Sequence, residues 1–174
     1  IEKVLEKYQI PKDKPIITQI SRFDYLKDPV GVIEAYRLVK KRIDCQLIIE
    51  GGTATDDPES TKVFAETKEA AGNDIDIHIL PIPSGNDIEI NALQRASTVI
   101  VQKSLREGFG LTVTEALWKA KPIVASSTGG IPLQVKHKYS GLLCHSVSGA
   151  AFAIKQLLNS PEYAKRLGEN GREH

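Results

Sequence analysis

Cysteine pairs and histidine ligand sets are both missing from this 174-residue chain. Its two cysteines, Cys45 and Cys144, lie far apart in apolar runs, which excludes a CxxC redox motif and a thiolate metal pair and points to buried, reduced thiols in a cytoplasmic protein. His78, His137, His145 and His174 are scattered without ligand spacing, so no metal centre is expected. Excess charge is absent as well: 23 Lys and Arg against 22 Asp and Glu leave a net charge of +1 with no block of one sign. Nucleic acid and anionic membrane surfaces therefore have no electrostatic footprint here. No apolar stretch reaches the roughly 18 to 20 residues of a bilayer span, and the charged amphipathic start from Ile1 to Tyr8 is not a secretory leader. An initiator Met is lacking, and the chain stops at Gly171-Arg172-Glu173-His174 inside a polar helical pattern. The expectation is a piece excised from something longer at both ends.

What is present is enough apolar material, 41% of residues beside 26% charged, for one domain over residues 1–174 with its own core. Short β-branched runs cover Ile16 to Ser21, Cys45 to Glu50, Ile75 to Leu80, Thr98 to Gln102, Pro122 to Ser126 and, more weakly, Leu142 to Cys144. Between them apolar residues recur at helical spacing, as in Val32, Ile33, Tyr36, Val39 and Ile43, and again over Thr61 to Ala71, Ile88 to Ala96, Leu111 to Ala120 and Ala150 to Leu158. Alternation of this kind predicts βαβ units, and continuous rather than alternating apolar strands predict a parallel sheet covered by helices on both faces. The fold class is α/β, a Rossmann-like doubly wound parallel sheet. Ligands of such sheets bind beyond the carboxyl ends of the strands, so the loops after each run are the ones that carry chemistry.

The loop after the first strand, Ser21-Arg22-Phe23-Asp24-Tyr25-Leu26-Lys27-Asp28-Pro29, sets Arg22 and Lys27 five residues apart at a strand end. A diphosphate can use both, the guanidinium as a planar fork and the ammonium as a point charge; two surface cations balanced by Asp24 and Asp28 are the other reading. The loop after the fourth strand runs from Lys103 to Glu115. Gly108 and Gly110 permit close backbone approach ahead of a helix whose free amino-terminal NH groups favour an anion. Glu107 and Glu115, with seven residues between them, can face one site and accept hydrogen bonds from sugar hydroxyls, or can simply be favourable charges near a helix start. Ser126 to Pro132, with Gly129-Gly130, reads either as another ligand-facing turn or as an ordinary strand-to-helix turn. The acidic run Asp56-Asp57-Pro58-Glu59 could suit Mg²⁺, but an acidic cap, Pro at the first helical position and Glu in the first turn are what helix initiation alone requires.

Taken together, Ser21-Arg22-Phe23 with Lys27, the stretch from Glu107 to Glu115, and Gly129-Gly130-Ile131-Pro132 resemble the carboxy-terminal, donor-binding domain of GT-B-fold retaining glycosyltransferases of the large family 4. The resemblance implies Arg22 and Lys27 on the donor diphosphate, where they would serve catalysis with Glu107, and Glu107 on the donor hexose. It further implies Glu115 on the ribose, with Gly108, Phe109, Gly110 and Leu111 assisting through their backbone and Leu80 to Ile82 meeting the base. It also implies a nucleotide-sugar donor, no cofactor, no metal, and an amino-terminal acceptor half outside these residues. Within the family, Val101 to Gly110, Glu115-Ala116-Leu117-Trp118-Lys119 and Asp56-Asp57-Pro58 resemble trehalose-forming glycosyltransferring synthases and trehalose phosphorylases. Many other members carry Pro-Ser where Lys103-Ser104 stands. The implied reaction moves glucose from a nucleoside diphosphate glucose to glucose with retention. A trehalose phosphorylase, with inorganic phosphate in the basic pocket, is the rival. A non-catalytic nucleotide-binding module is disfavoured because no GxGxxG follows the first strand.

Overall fold

The computed structural model describes residues 1–52, 57–83, 85–106 and 110–173. Six parallel strands, β1 (Ile16–Ile20), β2 (Gln46–Glu50), β3 (Ile77–Leu80), β4 (Val99–Gln102), β5 (Ile123–Ser126) and β6 (Leu142–Cys144), form one sheet in the order β3-β2-β1-β4-β5-β6. Every strand predicted from sequence is present, and β1, β2 and β4 are buried along their whole length, as expected for strands covered on both faces. The third starts two residues late. Asp74 accepts the NH of Asp76 in a tight turn, and Ile75 projects into solvent at 86% exposure instead of joining the sheet.

Helices α2 (Pro29–Lys40), α3 (Pro58–Ala71) and α7 (Val147–Asn159) cover one face, burying Val32, Ile33, Tyr36 and Val39, then Val63, then Ile154 and Leu157 against Ile17, Leu47, Ile49 and Val101. The opposite face is covered by α1 (Glu2–Lys7) and α4 (Asp87–Ala96) around Leu5, Ile48, Leu80, Ile82 and Leu93. Beside them α5 (Leu111–Trp118) and α6 (Ile131–Gln134) close around Ile100, Val113, Ile123 and Ile131. The last helix, α8 (Pro161–Glu173), packs on α7 and α5. Local chemistry sets the helix starts. Asp57 accepts the Glu59 NH at 3.0 Å with Pro58 at the first position of α3, which gives Asp57 the helix-initiating role predicted; Asp56 lies outside the described residues. Asp28 caps α2 and Ser146 caps α7 in the same way. The predicted Leu111 to Ala120 helix ends sooner, at Trp118, because Ala120 takes a left-handed backbone (φ 57).

Sequence-adjacent strands run outward from β1 through β2 to β3, and the chain then crosses back to place β4 on the other side of β1. The order reverses between β1 and β4. The loops after those two strands diverge there and open a crevice, the usual ligand position in a doubly wound sheet.

Candidate nucleotide-sugar site

A cleft of about 340 Å³ occupies that switch point, lined by Ser21, Arg22, Lys27, Gln102, Gly110, Leu111 and Thr112. Two loops that are remote in sequence thus bring Arg22 and Lys27 against Gly110 and Leu111, where α5 begins. Asp24 shapes the first loop: its carboxylate accepts the Leu26 NH at 2.8 Å and starts a 3-10 turn over Tyr25–Lys27, where the sequence predicts only loop. Arg22 remains 80% exposed at the lip, with Asp24 3.6 Å away. Asp28, a counter-charge to the cations of its own loop on the alternative reading, pairs with Lys103 of the loop after β4. Gly110 takes a left-handed backbone (φ 84), which turns the chain into α5 and aims that helix's amino end at the cleft. Gly51, after β2, passes so close to Ser21 that a Cβ there would stand 2.0 Å from the Ser21 carbonyl oxygen. The loop after β1 therefore rests directly on the neighbouring strand end.

A second cleft, about 370 Å³, adjoins the first through Thr112 and is lined by Ile20, Asp87, Ile90, Asn91, Gln94, Glu115 and Lys119. Thr112 forms the ridge between the two, its hydroxyl donating to the Ile20 carbonyl at 3.1 Å. Glu115 is exposed in this second cleft, and its Oε2 accepts from Gln94 Nε2 at 2.9 Å, which orients one oxygen and leaves the other for a ligand. Leu80 and Ile82 do not present side chains here. Both are buried, in the core under α1 and α4. Glu107, Gly108 and Phe109 lie outside the described residues.

Sequence reasoning missed Thr112, Gln94 and Gln102, polar residues whose value lies only in where the fold sets them, and it missed Glu50. That carboxyl ends β2 at 2% exposure, in register with Ile20 and Leu80, and burial pushes it up to about 7. A larger cleft, about 580 Å³ around Trp118 and Leu133, lies between α5, α6 and α8 and shares no lining residue with the two at the switch point. Volume alone would favour it. The convergence of a basic loop, a helix amino end and a carboxylate favours the smaller pair.

The family model described as glycosyl transferases group 1 matches residues 1–174. Trehalose synthase of Rubrobacter xylanophilus is 43% identical over 173 residues, covering 98% of this chain and 41% of that protein. Trehalose phosphorylase of Grifola frondosa is 35% identical over 176 residues, covering 91% of this chain and 24% of that protein. Among solved structures, sucrose-phosphate synthase from Thermosynechococcus elongatus superposes with a TM-score of 0.80 at 27% identity, over 99% of this chain and 43% of that one. The chain thus spans about two fifths of the length of the synthases it matches. With the family model matching from end to end on a doubly wound sheet of the GT-B carboxy-terminal type, the chain belongs to the group 1 glycosyl transferases.

Proposed function

We propose that this chain is the donor-binding half of a retaining, cytoplasmic glycosyltransferase that moves glucose from a nucleoside diphosphate glucose to glucose, forming trehalose. The observation that carries it is the switch-point cleft, where Arg22 and Lys27 meet the amino end of α5 while Glu115 stands in the adjoining cleft. That order of groups matches a nucleotide sugar: cations and helix end for the diphosphate, a carboxylate for the ribose hydroxyls. Catalysis then rests on preorganised charge. As the glycosidic bond breaks, negative charge grows on the departing diphosphate, and Arg22, Lys27 and the α5 amino end are already in place to stabilise it. Glu107 has the role of holding the donor hexose. The higher identity to trehalose synthases than to the phosphorylase, 43% against 35%, supports a nucleotide rather than inorganic phosphate in the basic cleft. The share of the synthases left uncovered supports an acceptor half elsewhere in the protein.

Calorimetry with UDP, ADP and GDP, each beside its nucleoside, tests this reading. Arg22→Ala and Lys27→Ala are each expected to weaken the diphosphate by about 1.5 to 3 kcal/mol, the worth of a charge-assisted contact, while barely affecting the nucleoside. Glu115→Ala is expected to weaken diphosphate and nucleoside alike. Equal losses across all three variants for both ligands would show that the roles are not divided in this way. Because side chains and a helix end supply the positive charge, EDTA is expected to leave diphosphate affinity unchanged; a collapse on chelation would bring a metal into the site.

A further inference from the structure

The fold gives the cation at position 103 a task. Lys103 is 7% exposed, and its ammonium is ion-paired with the Asp28 carboxylate, which also accepts the Gly31 NH at 3.1 Å to cap α2. The Lys103 NH donates to Oε1 of Gln19 at 2.8 Å, and Nε2 of the same Gln19, fully buried on β1, donates to the Lys27 carbonyl at 2.8 Å. Two residues further on, the Leu105 NH donates to the Leu26 carbonyl at 2.7 Å. Asp28 itself is held in a left-handed backbone (φ 50, ψ 54), directly after Lys27.

These contacts stitch the turn that carries Lys27 to the loop after β4, from the backbone and the side chain together. We infer that Lys103, acting through Asp28 and Gln19, is a positioning residue that locks the two anion-facing loops into one rigid cradle before the donor arrives. A cradle ordered during folding spares that ordering cost on binding, so the pair raises affinity for a diphosphate without touching it. The inference rests on the donor-binding reading above.

The sign of two substitutions separates a cradle from a simple field effect. If the charges acted only by their field at the phosphates, Lys103→Met would weaken a diphosphate and Asp28→Asn would tighten it. A cradle requires both to weaken it, and Asn keeps both the left-handed backbone and the helix cap. Calorimetry on the chain with UDP and ADP, each beside its nucleoside, is the experiment. Lys103→Met and Asp28→Asn are each expected to lower diphosphate affinity about tenfold, the worth of roughly one charge-assisted contact, with nucleoside affinity within about twofold of wild type. Lys103→Arg, which keeps the charge and can reach Asp28, is expected to recover most of the loss. The Lys103→Met/Asp28→Asn double variant removes the risk that a lone buried charge unfolds the protein. It is expected to melt near wild type yet still bind the diphosphate about tenfold more weakly, the single losses failing to add. Tighter binding by Asp28→Asn, or wild-type affinity in the double variant, would overturn the cradle while leaving the donor site intact. A wild-type chain that binds none of UDP, ADP and GDP would overturn the donor reading and the cradle with it.

Discussion

Given a nucleoside diphosphate glucose and glucose, this chain by itself is expected to bind the donor and form no disaccharide. Folding is expected without a partner half, because the sheet is covered on both faces and the cores on either side are closed by helices of the same chain. Catalysis is expected to require one. Both clefts at the switch point open outward, and the groups that converge there, Arg22, Lys27, Gly110 and Glu115, all fit a donor. Holding an acceptor hydroxyl in near-attack geometry contributes about 7 to 11 kcal/mol to a bimolecular transfer, equivalent to roughly a 10⁵- to 10⁸-fold rate advantage, and needs a second wall. Slow hydrolysis of the donor is compatible with this, since on the proposed reading Arg22, Lys27 and the amino end of α5 would still stabilise the leaving diphosphate. The measurement is chromatographic detection of disaccharide from this chain beside a longer polypeptide that restores an amino-terminal half. Comparable turnover by the two would place the acceptor site within these residues and end the two-domain account.

Glu50→Gln is expected to stabilise the chain at pH 8 by about 3 kcal/mol and to leave it nearly unchanged at pH 4. Burial raises the folded-state pKa of Glu50 from 4.5 to about 7, and every tenfold gain in proton affinity on folding corresponds to about 1.4 kcal/mol. The sign follows from proton counting. Below pH 4.5 both folded and unfolded chains carry the proton, so the group costs nothing. Between 4.5 and 7 the folded chain retains a proton that the unfolded chain has released, and stability falls as pH rises; above 7 the full cost is present. A neutral amide of the same shape never incurs it. Asp44 and Asp76 titrate in the opposite sense, since Lys40 and Lys14 hold both below the ordinary range and their contribution is lost in acid. The quantity to compare is therefore the variant-minus-wild-type difference in denaturant-unfolding free energy across pH. A difference that stayed flat from pH 4 to pH 8 would show that Glu50 does not titrate with folding.

A carboxyl of this kind marks the boundary of what a sequence can reveal. Glu50 closes the strand Gln46–Glu50 like any polar residue at a strand end, and only the assembled sheet, which sets it in register between Ile20 and Leu80, leaves it 2% exposed. Lys103 and Asp28 behave likewise. By sequence Asp28 is at most an alternative local counter-charge for Arg22 and Lys27, whereas Lys103, which it pairs with in the fold, lies 75 residues away, a distance no local rule can cross. Leu80 and Ile82 sit at and just past the expected strand end, yet both side chains are buried in the core under α1 and α4.

Local physics did settle the outline. β-Branched runs separated by helical periodicities dictate parallel strands with helical crossovers, because an apolar strand with no polar side must be covered on both faces. Asp57-Pro58 and the Ser146 cap set helix starts by side-chain hydrogen bonds within three residues, a range that sequence reading spans. Arg22, Lys27, Gly110 and Glu115 were legible because charge and backbone freedom at strand ends are properties of the residue types themselves. The tertiary structure alone decided that the order reverses between β1 and β4, and so which two loops share a cleft. It also decided that Thr112 divides the two clefts at the switch point, that Gln94 orients Glu115, and that Lys103 rather than a neighbour in the chain holds Asp28. The reason is common to all four. Burial, pairing and cleft shape are sums over residues that the chain brings together only after the sheet has formed, whereas propensity and charge belong to each residue before it folds.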